Sequence, residues 1–240
     1  MCGRYALDVA GGGLASLLDC LPGTAATFDP KWNIAPTMVA PVVVRAAGGP
    51  RRLDAARWGI VARPGGVRGP ARPLINARSE TVFEKPSFRT AASKHRCIVP
   101  ARAFYEWRRA GRERHPFAIE RRDGGLMCFA GILECEEDAP GFVILTTTAN
   151  PVMSSIHDRM PVLLDETGAA EWLDHDHVHE DPASRFAARL RPASDETLRI
   201  RPVAPDVNDV RREGPGLLDP APTEQGLFGP LGCLDDRDPG

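Results

Sequence analysis

The sequence predicts an α+β domain whose main element is an antiparallel β-sheet, closed as a barrel-like core with flanking helices. Short runs rich in apolar and β-branched residues dominate the middle of the chain, as is typical of strands. Glycine-containing turns separate these runs at hairpin distances. Helical periodicity is confined to short segments, so the regular strand–helix alternation of a parallel sheet does not occur.

The N-terminal elements are short and separated by turn residues. In chain order we expect a helix over 8–20, a loop over 30–37, strands over 40–45 and 53–61, a mobile Gly/Pro/Arg-rich loop over 63–73, a helix start at Ser79 or Glu80, and a helix over 86–93.

The rest of the chain is rich in strands and ends in a low-complexity tail. We expect strands over 96–100, 104–107, 116–120, 126–133 and 142–148, helices over 166–173 and 183–190, and a last strand over 197–203. Residues 1–217 are predicted to form one domain. Residues 218–240, rich in Pro, Gly and Asp, are predicted to be a disordered tail.

Composition excludes several classes of protein. Of 240 residues, 42% are hydrophobic and 26% charged, which is ordinary for a soluble globular protein. Neither a membrane-spanning run nor a signal peptide is recognisable. The six cysteines include no CxxC pair, which argues against a zinc knuckle or a disulfide framework. We therefore expect a cytoplasmic monomer without metal or other cofactor.

Charge is distributed unevenly along the chain. Residues 1–130 hold 21 basic and 10 acidic residues, whereas residues 131–240 hold 9 and 22, although the net charge is only −2. Nearly all the basic residues are arginines, which suit bidentate contacts with phosphate. The basic half therefore indicates a surface for a polyanion.

The chain begins Met1-Cys2-Gly3-Arg4. A small second residue permits removal of Met1, which would leave Cys2 with an α-amine and a thiol on adjacent carbons. Such a 1,2-aminothiol condenses with an aldehyde to an imine and then closes to a thiazolidine ring. The alternative is that Cys2 lies in a frayed terminus without chemistry.

Three internal segments offer polar groups for catalysis. Glu106 lies among the aromatic residues of Phe104-Tyr105-Glu106-Trp107, where burial would make it a general acid and base; the alternative is a solvent-facing carboxylate. His157 lies in a polar turn and can donate a proton, or simply be solvated. Asn76 and Arg78 can orient a substrate and hold a phosphate, or form a capping turn.

Two further features have structural readings that we favour. The stretch His175-Asp176-His177-Val178-His179 can supply metal ligands, but a solvated stretch after a helix explains it better. Trp32, Trp58 and Trp107 can stack on bases, whereas core packing is the usual role of tryptophan.

Taken together and in this order, these segments resemble the SOS-response-associated peptidase (SRAP) family of abasic-site processing proteins. The resemblance covers residues 2 to about 217. The matching stretches are Met1–Tyr5, Trp32–Thr37, Arg57–Ile60, Ile75–Thr81, Arg96–Pro100 continuing into Phe104–Trp107, Ile144–Asn150, Ile156–Pro161, and Pro202-Val203 with Val207-Asn208.

The resemblance implies a barrel-like SRAP fold and a protein that binds single-stranded DNA and crosslinks covalently to the aldehyde of abasic sites. It implies a bacterial, nucleoid-associated protein of the DNA damage response, with lyase-type, self-modifying chemistry and removal of Met1 by the protein itself or by an aminopeptidase. The matching catalytic residues are Cys2, Asn76, Glu106 and His157. The matching DNA-binding residues are Arg4, Asn33, Pro36, Trp58, Arg78 and Arg159.

The chain departs from the family pattern at two places. No aromatic residue follows the Trp58-Gly59 motif, so Arg63, Arg68 and Arg72 would take over part of the DNA contact. Arg102-Ala103 stands where the family usually has Asp-Gly. Two other functions fit some of the same residues: an N-terminal-nucleophile glutamine amidotransferase, although the chain has no Asn-Gly segment, and a non-catalytic single-strand-binding module.

Overall fold

A computed structural model of the chain describes residues 2–60, 73–135, 140–176 and 181–221. The strands are β1 (Tyr5–Leu7), β2 (Leu21–Pro22), β3 (Lys31–Ile34), β4 (Val39–Arg45), β5 (Arg51–Trp58), β6 (Asn76–Arg78), β7 (Arg96–Ala101), β8 (Ala103–Ala110), β9 (Glu113–Arg121), β10 (Met127–Cys135), β11 (Pro140–Thr148), β12 (Arg159–Pro161), β13 (Leu163–Leu164) and β14 (Leu198–Pro202). The helices are α1 (Gly11–Leu17), α2 (Arg89–Lys94), α3 (Pro151–Ser154), α4 (Glu166–Trp172) and α5 (Pro182–Phe186).

The described strands form two sheets. One has five strands in the order β14-β9-β8-β1-β3, all antiparallel. The other has nine strands along the path β12-β11-β10-β7-β4-β5-β2, with β6 beside β11 and β13 beside β10. In the second sheet β5 also pairs in parallel with β11, through Gly141 opposite Arg57 and Phe142 opposite Trp58.

The N-terminal strand lies inside a sheet. β1 is hydrogen-bonded on one side to β8, with Tyr5 opposite Phe104, and on the other side to β3, with Tyr5 opposite Ile34. Tyr5, Ala6 and Leu7 are fully buried. Cys2, three residues before β1, therefore leads directly into a fixed strand, because every residue of β1 has a partner strand.

An aromatic cluster forms the core below this strand. The ring of Tyr5 meets Trp58 edge to face at 5.2 Å and Phe129 at 6.4 Å between centroids, and Phe104 meets Phe129 at 5.9 Å. Burial of each such side chain stabilises a fold by about 1.5–3 kcal/mol. The cluster thus fixes the strands on which the N-terminus rests.

The five-stranded sheet is covered on both faces. Its other face packs against the C-terminal segment, through a small cluster that includes Tyr105, Ala118, Val203, Val207 and Leu217. Two 3-10 turns, Pro205–Asn208 and Pro215–Leu218, shape this segment.

The α+β class and the mainly antiparallel pairing are confirmed, whereas closure as a barrel stays a prediction. Residues 31–34 form a strand instead of the predicted loop; the flanking prolines read as turn signals and concealed it. Residues 79–81 form a 3-10 turn, and α5 ends at Phe186, four residues earlier than expected.

The first four residues of the predicted tail, 218–221, contact the domain. Residues 218–221 pack against β14, because the Ala221 N–H donates to the carbonyl of Pro202 at 3.0 Å and Arg201 donates to the carbonyl of Leu218. Residues 222–240 lie outside the described residues, as do residues 63–72 of the predicted mobile loop. Within the described part, no helix is long and apolar enough to cross a membrane.

Candidate active site

Cys2 is completely enclosed by protein, with no exposed surface. The residues after it are fixed by β1 and by the Tyr105 N–H, which donates to the carbonyl of Arg4 at 2.9 Å. Burial and the negative charge of Glu106 raise the pKa of the Cys2 thiol. The thiol is therefore protonated at neutral pH, and any reaction through it follows a proton transfer.

Asn76 joins the second sheet to the N-terminus. It begins β6, which runs parallel to β11 with Asn76 opposite Ile144. Its Nδ2 donates to the carbonyl of Cys2 at 2.8 Å. Among the described residues its Oδ1 is buried and accepts no hydrogen bond. An unsatisfied buried acceptor costs about 1–3 kcal/mol, so this oxygen suits a donor that arrives with a ligand.

Glu106 is buried, with 4% of its surface exposed. It lies on β8 opposite Phe117, two residues after Phe104, so it shares the inward face of the strand with a core aromatic ring. Its negative charge raises the pKa of the Cys2 thiol. The sequence interpretation of Glu106 as a buried carboxylate is confirmed.

His157 lies in the turn between α3 and β12, with 29% of its side chain exposed. Its Nδ1 accepts the backbone N–H of Arg159 at 3.0 Å and also lies 2.8 Å from Oδ1 of Asp158. One nitrogen cannot do both, because accepting requires a bare Nδ1 and pairing with a carboxylate requires a protonated one. Asp158 is 86% exposed, so its attraction is weak. In the neutral ring that accepts from Arg159, the proton is on Nε2.

Two of the predicted DNA contacts use their polar groups inside the protein. Nη1 of Arg4 donates to Oδ1 of Asn33 at 2.7 Å and to the carbonyl of Val207 at 2.9 Å. Asn33 is fully buried and donates from Nδ2 to the carbonyls of Asp209 and Arg212. This pair fastens the C-terminal segment beside the site, and its direct contact with DNA stays a prediction.

Arg159 is bound to Glu80 in a two-pronged ion pair. Its two terminal nitrogens lie 2.6 and 2.8 Å from the carboxylate oxygens, and Nη2 also donates to the carbonyl of Thr146 at 2.6 Å. Hydrogen bonding from Arg159 lowers the pKa of Glu80. Only 11% of the Arg159 side chain is exposed, whereas Arg78 on β6 is exposed. Arg78 is thus the predicted arginine that faces solvent without an ion pair among the described residues.

The prediction that Trp58 contacts DNA is wrong. Trp58 is fully buried, donates from its indole to the carbonyl of Ile75 at 3.0 Å, and stacks on Phe142 at 6.3 Å. Its ring fills the core and cannot reach a base. Trp32 and Trp107 are half-buried, and the indole of Trp107 donates to Oδ1 of Asn208.

The remaining predicted residues are distributed around the site. Pro36 is half-buried in the turn between β3 and β4, next to Thr37, whose φ is 76°. Arg63, Arg68 and Arg72 lie outside the described residues. His175 is half-buried rather than solvated, and burial and Arg96 lower its pKa to about 4. No group of three or more metal-ligating side chains occurs in the described part of the chain.

The sequence interpretation missed the partners that hold the predicted residues. Glu80 and Thr146 were not singled out, although both lie inside matched segments and orient Arg159. The alternation of polar residues in Asn76-Ala77-Arg78-Ser79-Glu80 was the available signal. Val207 was matched as part of a motif, but its role as the anchor of Arg4 depends on a contact across 203 residues.

The family model described as SOS response associated peptidase (SRAP) matches residues 1–210. The chain belongs to this family. It is 34% identical over 190 residues to the abasic site processing protein YoaM of Bacillus subtilis, which covers 75% of this chain and 82% of YoaM. It is 30% identical over 202 residues to the abasic site processing protein YedK of Escherichia coli, which covers 81% of this chain and 89% of YedK.

Solved structures show the same fold. A protein from Bacteroides thetaiotaomicron superposes with a TM-score of 0.77 at 24% identity, over 92% of this chain and 100% of that protein.

Proposed function

We propose that this SRAP protein processes abasic sites by binding single-stranded DNA and forming a thiazolidine between Cys2 and the deoxyribose aldehyde. The observation that carries the proposal is the hydrogen bond from Asn76 to the carbonyl of Cys2, beside the buried carboxylate of Glu106. It brings an orienting amide and a proton carrier to the one residue that can offer an amine and a thiol together. The names of the relatives supply the substrate, an abasic site.

The first requirement is hydrolysis of the peptide bond between Met1 and Cys2. It consumes one water and releases methionine, leaving the Cys2 amine. We assign the peptidase name of the family to this self-directed step or to a separate aminopeptidase, and not to general proteolysis.

Opening of the sugar ring exposes the aldehyde. An abasic deoxyribose is mostly a closed hemiacetal, so ring opening needs a proton delivered to the ring oxygen and one removed from the hydroxyl. His157 is the proposed donor: in the protonated ring Nδ1–H faces Oδ1 of Asp158 at 2.8 Å, and the Nε2 proton passes to the sugar ring oxygen, which leaves a neutral imidazole.

The Cys2 amine then attacks the aldehyde carbon, and the resulting carbinolamine loses water to give an imine. Glu106 would carry the proton from the amine to the departing hydroxyl, because it is buried next to Cys2. The thiol reacts afterwards: its sulfur bonds to the imine carbon, and its proton goes to the nitrogen. Burial and the charge of Glu106 raise the thiol pKa, which supports this order because a protonated thiol is a weak nucleophile and leaves the first attack to the amine.

Ring closure protects the DNA strand. A simple imine at an abasic site promotes β-elimination, whereas the thiazolidine has no carbon–nitrogen double bond. Both nucleophiles belong to one residue, so the closure is intramolecular and gains a large effective molarity.

Intact-mass measurement tests the proposal. The purified protein should lack Met1, and incubation with a single-stranded oligonucleotide carrying one abasic site should add the mass of the oligonucleotide less one water. An unmodified protein after incubation would contradict the proposal, and hydrolysis of glutamine by the same sample would favour an amidotransferase instead.

A further inference from the structure

The β8–β9 hairpin extends beyond the sheet that carries Glu106. The strands pair from Ala103 opposite Glu120 to Ala110 opposite Glu113. The neighbouring strand β1 pairs with β8 only at residues 103 and 104, and β14 pairs with β9 only over 117–121. Residues 108–115, the arginine ribbon, thus form a two-stranded extension, about 13 Å long at ~3.4 Å per residue.

The tip of this ribbon is tightly defined. A two-residue turn, Gly111-Arg112, joins the strands, and Gly111 has a φ of 61°. A positive φ at the first turn residue matches a type II′ hairpin, in which glycine is favoured. The ribbon therefore has a definite shape on which side chains take fixed positions.

The charge of the ribbon is strongly positive. It carries Arg108, Arg109, Arg112 and Arg114 against one acid, Glu113, which lies 3.4 Å from His115. Arg109, Arg112 and Arg114 are exposed. None of these three has an ion pair within the described part of the chain, and four guanidinium groups within seven residues make this the most basic hairpin of the sequence.

The arrangement of these charges disfavours the free ribbon. Arg109 lies directly opposite Arg114 across the strands, so two like charges share one face. Like charges at such positions destabilise a sheet, and an isolated two-stranded ribbon is only marginally stable. A hairpin that contacts only solvent would be more stable with opposite charges across its strands. Phosphates between the two arginines would remove the repulsion.

The ribbon begins at the candidate active site. Arg108 shares the face of Glu106 and lies two residues, about 7 Å, further along β8. Its guanidinium stands 5.0 Å from the ring centroid of Phe117, the residue opposite Glu106. A DNA strand whose lesion reaches Cys2 and Glu106 therefore has the ribbon beside its next phosphates.

We infer that the arginine ribbon binds the phosphate backbone of the lesion-bearing strand on one side of the abasic site. The inference rests on the proposed function for the position of the lesion. The ribbon adds affinity without base contacts, so it serves any sequence around the lesion. It sets the length of DNA that the protein covers on that side.

A salt-dependence experiment tests this inference. Affinity for an intact 20-nucleotide single strand is measured by fluorescence anisotropy between about 50 and 200 mM salt. The triple variant Arg109→Ser, Arg112→Ser, Arg114→Ser should lose about 2 from the slope of log affinity against log salt, because each single-strand phosphate contact contributes ~0.7. The matched variant Lys85→Ser, Arg89→Ser, Arg191→Ser removes the same charge from exposed positions elsewhere and should keep the slope of the wild type. Equal slopes for both triple variants would overturn the inference.

A charge reversal separates binding from folding. Arg114→Glu places a carboxylate opposite Arg109, so it replaces a repulsive pair with an attractive one. The variant should unfold at the same or a higher temperature than the wild type, yet bind the strand more weakly than the Arg114→Ser variant. Weaker binding accompanied by a lower melting temperature, in this variant and in Arg114→Ser alike, would mean that the hairpin acts only through stability.

Truncated abasic oligonucleotides locate the contact and distinguish the two proposals. Shortening the DNA on one side of the lesion should weaken binding by the wild type but leave binding by the triple variant unchanged. The result should be the same whether that flank is single-stranded or paired with a complementary strand. If neither flank matters, the inference fails while adduct formation persists. If intact DNA binds through the ribbon and no abasic adduct forms, the proposed function fails, whereas the inference that the ribbon binds phosphates is retained.

Discussion

Cys2 and Cys97 are two fully buried thiols in different surroundings. Cys97 lies within β7, and burial alone raises its pKa. Cys2 lies three residues before β1, where the charge of Glu106 adds to burial and Asn76 donates a hydrogen bond to its carbonyl. Both thiols are protonated at neutral pH, so neither is a reactive thiolate in the resting protein. The comparison teaches that the candidate site is defined by groups around a terminus, and not by an activated cysteine.

The largest difference should appear when each cysteine is replaced by alanine. Cys2→Ala keeps a terminal amine but has no thiol, so we expect complete loss of the heat-stable adduct and nicking of the strand at the abasic site. Cys97→Ala should retain the adduct and lose about 1 kcal/mol of unfolding free energy, because a buried sulfur leaves a small cavity. Denaturing gels and urea unfolding measure the two effects. A heat-stable adduct with Cys2→Ala would contradict the assignment of the Cys2 thiol to the thiazolidine.

Glu106→Gln should give the next largest effect. A general acid and base contributes about 10²–10⁴-fold, so adduct formation should slow by at least 100-fold while affinity for intact single strands is unchanged. Denaturing gels measure the rate of adduct formation, and fluorescence anisotropy measures the affinity for intact single strands. Loss of DNA binding alone would instead make Glu106 structural.

Asn76→Ala should slow adduct formation by about tenfold, the equivalent of one hydrogen bond of roughly 1–1.5 kcal/mol to the Cys2 carbonyl. Asn150 provides the matched control. It is a buried asparagine that caps α3 by accepting the N–H of Met153 at 2.9 Å, whereas Asn76 is half-buried. Asn150→Ala should cost about 1 kcal/mol of stability without slowing the adduct step. Equal kinetic effects in both variants would mean that Asn76 acts only through folding.

The smallest expected effect is on stability and comes from the ion pair of Arg159 with Glu80, next to His157. Cys97 has no comparable ion pair beside it among the described residues. Arg159 lowers the pKa of Glu80 in the folded protein, so this pair stabilises the fold above the unfolded pKa of about 4.3, and the contribution is lost as pH falls through the lower folded value. Glu80→Gln should therefore cost less than about 1 kcal/mol at pH 7, because the carboxylate is 44% exposed. Urea unfolding at pH 7 and at pH 3 measures the difference, which should shrink at pH 3. A pH-independent difference would assign it to packing.

The sequence predicted the central strands well, because their apolar runs are buried continuously in the structure. It predicted the burial of Glu106 from the aromatic residues around it. The prediction that Trp58 contacts DNA failed, because the sequence around a tryptophan in a strand looks the same whether the ring faces the core or a ligand. The sequence interpretation also missed β3 and β6, which are only four and three residues long and form by pairing with β1 and with β11 respectively, strands that are distant in sequence.

The contacts that organise the site were beyond the reach of local patterns. The bond from Arg4 to Val207, the pair of Arg159 with Glu80, and the bond from Asn76 to Cys2 join residues 74 to 203 positions apart. A single sequence carries no signal for such pairing. Only the family resemblance brought these segments together before the structure did.

The placement of β1 between β3 and β8 has a consequence for the order of folding. The surroundings of Cys2 draw on both ends of the domain, because β1 pairs with β8 and Arg4 donates to the carbonyl of Val207. The candidate site is therefore assembled late, when residues 203 positions apart meet, and an N-terminal fragment of the chain would lack it.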